Sequence, residues 1–247
     1  SASPLFFQTA AGAGAGFSLQ KSVRFVNDNS AYLNRTPTTG GNRKIFTYST
    51  WVKRSDLSDA TNYALFSVGT SSYNIFGFRS DGRVRLEGNA PSMDMHTLGR
   101  LRDPSAWYHI VFAIDTTQAT ASNRVKIYIN GVQQDLGSST YPAQNGEFSV
   151  NDNSAVHQIG RYSTSRYFDG YMASTVFIDG SQEDCTSFGE FDDNGVWQAI
   201  DVSGLTFGTN GFHLFDFANE NGIGNDSSGN DNDFTVNNLT SEGGSKI

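Results

Sequence analysis

Residues 107–136, WYHIVFAIDTTQATASNRVKIYINGVQQDL, decide the fold. Side chains of an extended strand alternate between faces, so Trp107, His109, Val111, Ala113 and Asp115 share one side. Tyr108, Ile110, Phe112 and Ile114 share the other. A polar link from Thr116 to Asn123 leads into a second run, Arg124 to Ile129, with Val125, Ile127 and Ile129 on one face. Asn130-Gly131 then marks a two-residue hairpin, because both positions of that turn take positive φ. Val132 to Leu136 leads back. Three antiparallel strands in so short a stretch predict an all-β domain. Trp107, Val111, Ile127 and Ile129 are its expected core, and His109 is expected to be a hydrogen-bonded structural histidine.

Working outward, the chain keeps the same rhythm. Toward the N-terminus, SVRF and AYLNR are short strands split by Asn27-Asp28-Asn29-Ser30, and KIFTYSTWVK (44–53) carries large residues on both faces, as a central strand does. Tyr63 to Val68, Tyr73 to Arg79 and Arg83 to Glu87 follow, the last after the tight turn Ser80-Asp81-Gly82. Residues 88 to 106 read as irregular. After Leu136, a polar loop to Asn153 precedes strands at Val156 to Ile159 and Tyr167 to Asp179. Ser181 to Phe188 and Val196 to Ile200 are the best short helix candidates. Short strands separated by turn residues at this spacing predict a sandwich.

Composition sets bounds on function. With 247 residues and 19 Phe, one large sandwich with a sizeable core is expected. A net charge of −8 and a pI near 4.9 speak against a basic footprint for nucleic acid. The single cysteine, Cys185, cannot form an intrachain disulfide, and an inert, half-buried thiol is expected. No apolar run is long enough to cross a membrane and no basic-then-apolar leader opens the chain, so neither membrane insertion nor a signal peptide is expected. Residues 1–16, SASPLFFQTAAGAGAG, read as an arm in which Leu5, Phe6 and Phe7 would dock on a neighbour through an Ala/Gly spacer. Residues 17–240 then form one domain, and 241–247 a short tail.

SVRF…AYLNR, TYSTWVKR, FRSDGRVRLEGN, WYHIVFAIDTT, RVKIYINGVQ, HQIGRY and YFDGYMASTVFIDG together resemble the concanavalin-A-like jelly roll of laminin-G-like domains. The resemblance covers about residues 18 to 180 and implies an all-β, two-sheet antiparallel jelly-roll sandwich with terminal arms. In that family an apolar strand followed by an Asp-Ser-Ser-Gly-Asn run stands at the N-terminal edge; here Phe212 to Asp233 carries it near the C-terminus. Residues 205–238 are therefore expected to supply a closing strand, as in a circular permutation. The wording of AYLNRTP, RDPSAWYHIV, DTTQATASNR and SGNDNDFTVNN is similar to virion proteins of tailed bacteriophages.

Enzymatic chemistry finds little support in the residues. A glucanase on this fold needs two carboxylates flanking the scissile bond, typically as Glu-x-Asp-x-x-Glu along a strand. None of the six Glu (87, 147, 183, 190, 220, 242) lies in that pattern or on an expected central strand, and Glu183 and Glu190 read as solvated surface. His96, His109, His157 and His213 lack zinc-ligand spacing. The oxygen-rich run at Asp226 to Asp233 has two readings: a structural calcium held by Asp226 and Asn230, which the resemblance favours, or an ion-free Asx turn. Tyr162, Arg166 and Tyr167 at a strand-loop boundary are candidate glycan contacts, or else ordinary rim residues.

These readings add up to a non-enzymatic structural protein of a tailed-phage virion, made in the host cytoplasm. Its expected role is to decorate or cement the capsid through its arms, with other virion proteins and copies of itself as partners. The alternative is a tail or fibre receptor-binding module recognising host-surface glycan. A glycan hydrolase is the remote third.

Overall fold

A computed structural model describes residues 17–19, 21–57, 62–137, 140–215 and 222–239. Leu5, Phe6 and Phe7, with the rest of 1–16 and the tail 241–247, lie outside the described residues. The strands in chain order begin with β1 (Val23–Phe25), β2 (Tyr32–Arg35), β3 (Ile45–Arg54), β4 (Tyr63–Val68), β5 (Asn74–Phe78) and β6 (Val84–Asn89). Next come β7 (Ser92–His96), β8 (Tyr108–Asp115), β9 (Val125–Ile129), β10 (Val132–Gln133), β11 (His157–Ile159) and β12 (Gly170–Asp179). The last are β13 (Gly189–Phe191), β14 (Trp197–Ala199), β15 (Phe212–Leu214) and β16 (Thr235–Asn237). They build two antiparallel seven-stranded sheets and one hairpin. The first sheet runs β1-β12-β3-β8-β9-β10, with β15 also on β12; the second runs β16-β2-β11-β4-β5-β6-β7. β13 pairs only with β14. The expected all-β two-sheet sandwich is the architecture of the protein.

The opening stretch behaves as its alternation requires. Asn130 and Gly131 take φ of 47° and 80°, and β9 turns into β10 there. Gly131 is needed twice over, since a Cβ at that position would also sit 2.3 Å from the Trp197 indole. The two faces of β8, however, enter two separate cores. Ile110, Phe112 and Ile114 join Ile127, Ile129 and the aromatic interior between the sheets. There Tyr48 stacks on Phe66 at 5.0 Å and Phe177 on Phe212 at 5.4 Å. Val111 and Ala113 point away from the sandwich into a second cluster with Trp51, Tyr128, Val176 and Ile178. The expected single core of Trp107, Val111, Ile127 and Ile129 is thus split, with Trp107 only half-buried against the second cluster.

What covers that second cluster corrects the helix expectations for Ser181 to Phe188 and Val196 to Ile200. Only Cys185–Ser187 coils, as one 3-10 turn, and Trp197–Ala199 is a strand. Trp197 and Ala199 face inward while Gln198 between them stays half-exposed, a period of two that suits a strand laid on a sheet. With Phe188, Val202 and Phe207 they close the outer face of the first sheet. Residues 88–106 are also more regular than expected: Met93 and Met95 of β7 turn into the inter-sheet core while Ser92 and Asp94 face solvent.

The C-terminal segment joins both sheets. At β12 the register breaks between Ala173 and Val176, where Ser174 takes φ 40°. Before the break β12 pairs with β1, and after it with β15, so one edge serves two short strands. β16 extends the second sheet beside β2.

Candidate functional site

The outer face of the second sheet is polar, and the loop at 160–168 covers part of it, burying Ser67, Gln158 and Glu87. The inward residues of β6 are Val84 and Leu86; Arg85 and Glu87 therefore point outward, as do Asp94 of β7, Ser67 of β4 and Gln158 of β11. The loop at 160–168 lies across this face. Gly160, at φ 84°, starts it, and its N–H donates to Leu65 O at 2.9 Å. Tyr162 and Ser165 exchange backbone hydrogen bonds of 3.1 and 3.0 Å, which makes a tight turn. Arg166 takes φ 52°, a left-handed conformation costly for a non-glycine residue, and its carbonyl accepts from Ala64 N at 3.1 Å.

That turn brings the loop onto a charged row. Glu87, 8% exposed, accepts from Arg166 on one oxygen and pairs with Arg85 on the other. Arg85 in turn grips Asp94 with two parallel hydrogen bonds of 2.8 and 2.9 Å. The Arg85 contact holds the Asp94 carboxyl below its usual range, and Asp94 raises the Arg85 guanidinium in return. The guanidinium of Arg166 lies 5.4 Å from the Tyr162 ring centre, and Tyr162 packs on Tyr73 at 5.2 Å. A hydrogen bond of 3.0 Å from the Tyr162 hydroxyl to Thr70 O fixes the ring. A second aromatic group sits on the same loop: Arg161 lies over Tyr32 and donates to the Tyr167 hydroxyl at 3.3 Å.

Tyr162 and Arg166 therefore stand together, while Tyr167 turns to the Arg161–Tyr32 side. Glu87, Arg85 and Tyr73 were missed in the sequence. The signal available was the outward pair Arg85 and Glu87 on a strand that ends in charge. Contrary to the expectation that no Glu occupies an inner strand, Glu87 lies on β6, between β5 and β7. Both of its oxygens are taken by arginines, which suits a positioning anion and not a proton donor to a glycosidic oxygen.

His109 is structural. Its ring stacks on Trp51 at 4.9 Å, and Trp197 Nε1 donates to Nδ1 at 3.0 Å. Indole only donates, so the proton sits on Nε2, which donates to Ser49 Oγ at 2.8 Å. Burial depresses its pKa to about 3, and the ring stays neutral. Cys185 is buried, its thiol pushed up by burial and donating to Gly131 O.

The Asp226 region does not offer a cation the oxygens it needs. Asp226 Oδ1 accepts from His213 N and Ser228 N, and Oδ2 from Ser228 Oγ and Asn232 N, at 2.7–3.0 Å. Asn230 presents Nδ2, a donor, to Gly208 O and Gly211 O. The positive charge of Arg35 faces Asp226 and Asp233. A calcium ion would have to displace these donors, so the residues do not fit it. Among the described residues no three His, Cys, Asp or Glu side chains cluster as a metal site.

The profile of the concanavalin A-like lectin/glucanases superfamily matches residues 27–184. The chain belongs to that superfamily. Among solved structures, a proposed carbohydrate-binding protein from Bacteroides ovatus aligns with TM-score 0.60 and 17% identity over 90% of this chain and 58% of that one. The chain thus spans little more than half of that protein's length. A heptameric SAP-like pentraxin from Limulus polyphemus follows at TM-score 0.48 and 14% identity, over 68% of this chain and 80% of that one. Domains LG4-5 of the mouse laminin alpha1 chain give 0.47 and 9% over 83% and 50%. At these identities the likeness is one of fold. No curated protein sequence matches the chain.

Proposed function

We propose that this lectin-like domain binds glycan on the polar outer face of its second sheet, beside the loop at 160–168, without cleaving it. The observation that carries this reading is the tyrosine pair Tyr73–Tyr162 set beside the row Arg166–Glu87–Arg85–Asp94. Tyrosine rings offer flat apolar faces for the C–H side of a sugar, and the adjoining guanidinium and carboxylate groups offer donors and acceptors for its hydroxyls. The row is already hydrogen-bonded in place, so little ordering cost remains for binding. The absence of a free carboxyl pair along the row supports a binding role over hydrolysis.

Combined with the similarity of the sequence to tailed-phage virion proteins, this reading puts host-surface attachment ahead of capsid decoration. The decoration role drew on the arms, which lie outside the described residues; the attachment role draws on a face with defined geometry. The test is a glycan array probed with the full chain and with Tyr162→Ala. Binding that falls about tenfold in the variant, with no cleavage products from the bound glycan, is expected. An array without a binder, or binding indifferent to Tyr162→Ala and Arg166→Ala alike, would overturn it.

A further inference from the structure

The dipeptide Asn-Gly occurs five times, at Asn130, Asn145, Asn194, Asn210 and Asn221. It exposes an asparagine amide to its own backbone, because glycine puts no Cβ beside the nitrogen that follows. That nitrogen can close on Cγ of the asparagine wherever the turn is free to bring the two together. Asn221 lies outside the described residues; the other four stand in different surroundings.

Three of the four are held by distant parts of the chain. Asn130 Oδ1 accepts from His109 N at 2.8 Å, and Gly131 packs against the Trp197 indole. Asn210 is buried, its N donating to Asp179 Oδ2 and its Nδ2 to Thr39 O, both at 3.0 Å. Asn145 is exposed, but its N donates to Thr116 O at 2.8 Å, and the Thr116 hydroxyl donates to Gly146 O at 2.9 Å. A Cβ at Gly146 would also stand 3.1 Å from Pro91. Closing a ring at any of these sites breaks contacts made across the fold.

Asn194 is held by its own turn. It is exposed between β13 and β14, and a Cβ at Gly195, which has φ 76°, would meet nothing within 4 Å. The N–H groups of Asn194, Gly195 and Val196 all donate to one residue, Asp192, at 2.8–2.9 Å. Gly195 N–H has to leave Asp192 O before its nitrogen can attack, and the turn can release it without disturbing anything beyond itself. Hydrogen bonds that are local and bathed in water open at the lowest cost.

We infer that Asn194 is the site at which this protein spontaneously deamidates, and that the change loosens the hairpin over the first sheet. The Gly195 nitrogen, its proton taken by hydroxide, bonds to Asn194 Cγ, and the amide nitrogen leaves as ammonia. The five-membered imide then takes up one water. Opening at one carbonyl gives aspartate; opening at the other gives isoaspartate, whose backbone is one carbon longer. Either product places a new negative charge next to Asp193 and close to Asp192. The extra carbon falls between Phe191 and Trp197, which pair across the hairpin with their rings 4.9 Å apart. Trp197 closes the outer cluster and donates to His109, so a shift of this pair reaches the cover of the first sheet.

The test ages the full chain in mildly alkaline buffer and follows each Asn-Gly by chymotryptic mass mapping, in which cleavage after Phe191 and Trp197 isolates residues 192–197. Amide-to-acid conversion there, divided between aspartate and isoaspartate, should outrun that at Asn130, Asn145 and Asn210 about tenfold in the folded chain. In the urea-unfolded chain that lead should vanish, since the fold is what creates it. The aged chain should unfold at lower urea than the fresh one, whereas aged and fresh Asn194→Ser should unfold alike, which also separates Asn194 from Asn221. Equal or faster conversion at a held site in the folded chain, or a lead that survives in urea, would overturn the assignment. A midpoint that stays put as Asn194 converts, or a loss that Asn194→Ser does not prevent, would overturn the link to the hairpin.

Discussion

On the first sheet the outward residues are Trp51, Val111, Ala113, Val176 and Ile178; on the second they include Ser67, Gln158, Arg85, Glu87 and Asp94. The inward faces of both sheets meet in one aromatic core, so the sheets differ only on the sides turned away from each other. The apolar outer row was given a cover, the hairpin β13–β14 with Phe188, Val202 and Phe207. The polar row is covered only in part, by the loop with Tyr162 and Arg166, which buries Ser67, Gln158 and Glu87 and leaves Asp94 exposed. Leaving an apolar row wet costs about 25 cal/mol per Å2, which a bare β-sheet of this length could not tolerate. A polar row has no such need and is free to serve as a surface for recognition. The capped face is a stability element, and the polar face is the one on which binding is proposed.

Removing the cap is the sharpest way to break this contrast. Trp197→Ala deletes the indole that shields the second cluster and hydrogen-bonds His109; a loss of about 3–5 kcal/mol in urea unfolding is expected. A loss below about 1 kcal/mol would mean that the hairpin is only loosely attached and that the first sheet tolerates an open outer face.

Acid probes a buried histidine in each sheet, His109 under the cap of the first and His157 on β11 of the second. The pKa of His109 is lowered to about 3 and that of His157 to about 4, both chiefly by burial, against an ordinary value of 6.5. The unfolded chain binds these protons more readily than the folded one. Their contribution is therefore complete above pH 6.5 and is lost as pH falls toward 4, by up to about 1.4 kcal/mol per pH unit for each histidine. Unfolding followed by fluorescence across that window should show the slope, and His109→Gln should reduce it by half. An unchanged slope in the variant would mean that His109 is not held neutral.

On the polar face the expected effect is on binding and not on stability. Tyr162→Ala should move the unfolding free energy by less than about 1 kcal/mol while weakening glycan binding about tenfold. A comparable loss of stability would make the loop a structural cover, and the two faces would then be alike. The smallest effect is expected from calcium: because both Asp226 oxygens already accept hydrogen bonds, from His213 N of β15 and from Ser228 and Asn232 of its own loop, adding calcium or a chelator should leave the melting temperature where it is. A rise with calcium would show that the loop rearranges to bind it.

Much of the fold was legible in local pattern. The alternation of Trp107 to Asp115 and the Asn130-Gly131 turn are where the sequence puts them, and the strands expected at 44–53 and 167–179 lie at 45–54 and 170–179. The helix expectation for Val196 to Ile200 failed because five residues carry too little periodicity to separate strand from helix, and the contact with Trp51 and His109 decided it. β7 went unseen for the opposite reason, since its two methionines only look like an inward row once the sheet beneath them is known. At the candidate site, Tyr162 and Arg166 could be named from their place at a strand-loop boundary. Glu87 could not, because its partner Arg166 is 79 residues away.

By itself, then, the sequence determined the all-β class, the two-sheet sandwich and the positions of its principal turns. These depend on side-chain alternation and on turn residues with positive φ, both of which act between near neighbours. Tertiary structure alone decided which outer face is covered, which carboxylate lies between two arginines, and which Asn-Gly turn stands clear of the rest of the chain. Those depend on which distant strands share an edge and which segment folds back over which sheet, and no run of neighbouring residues encodes that choice.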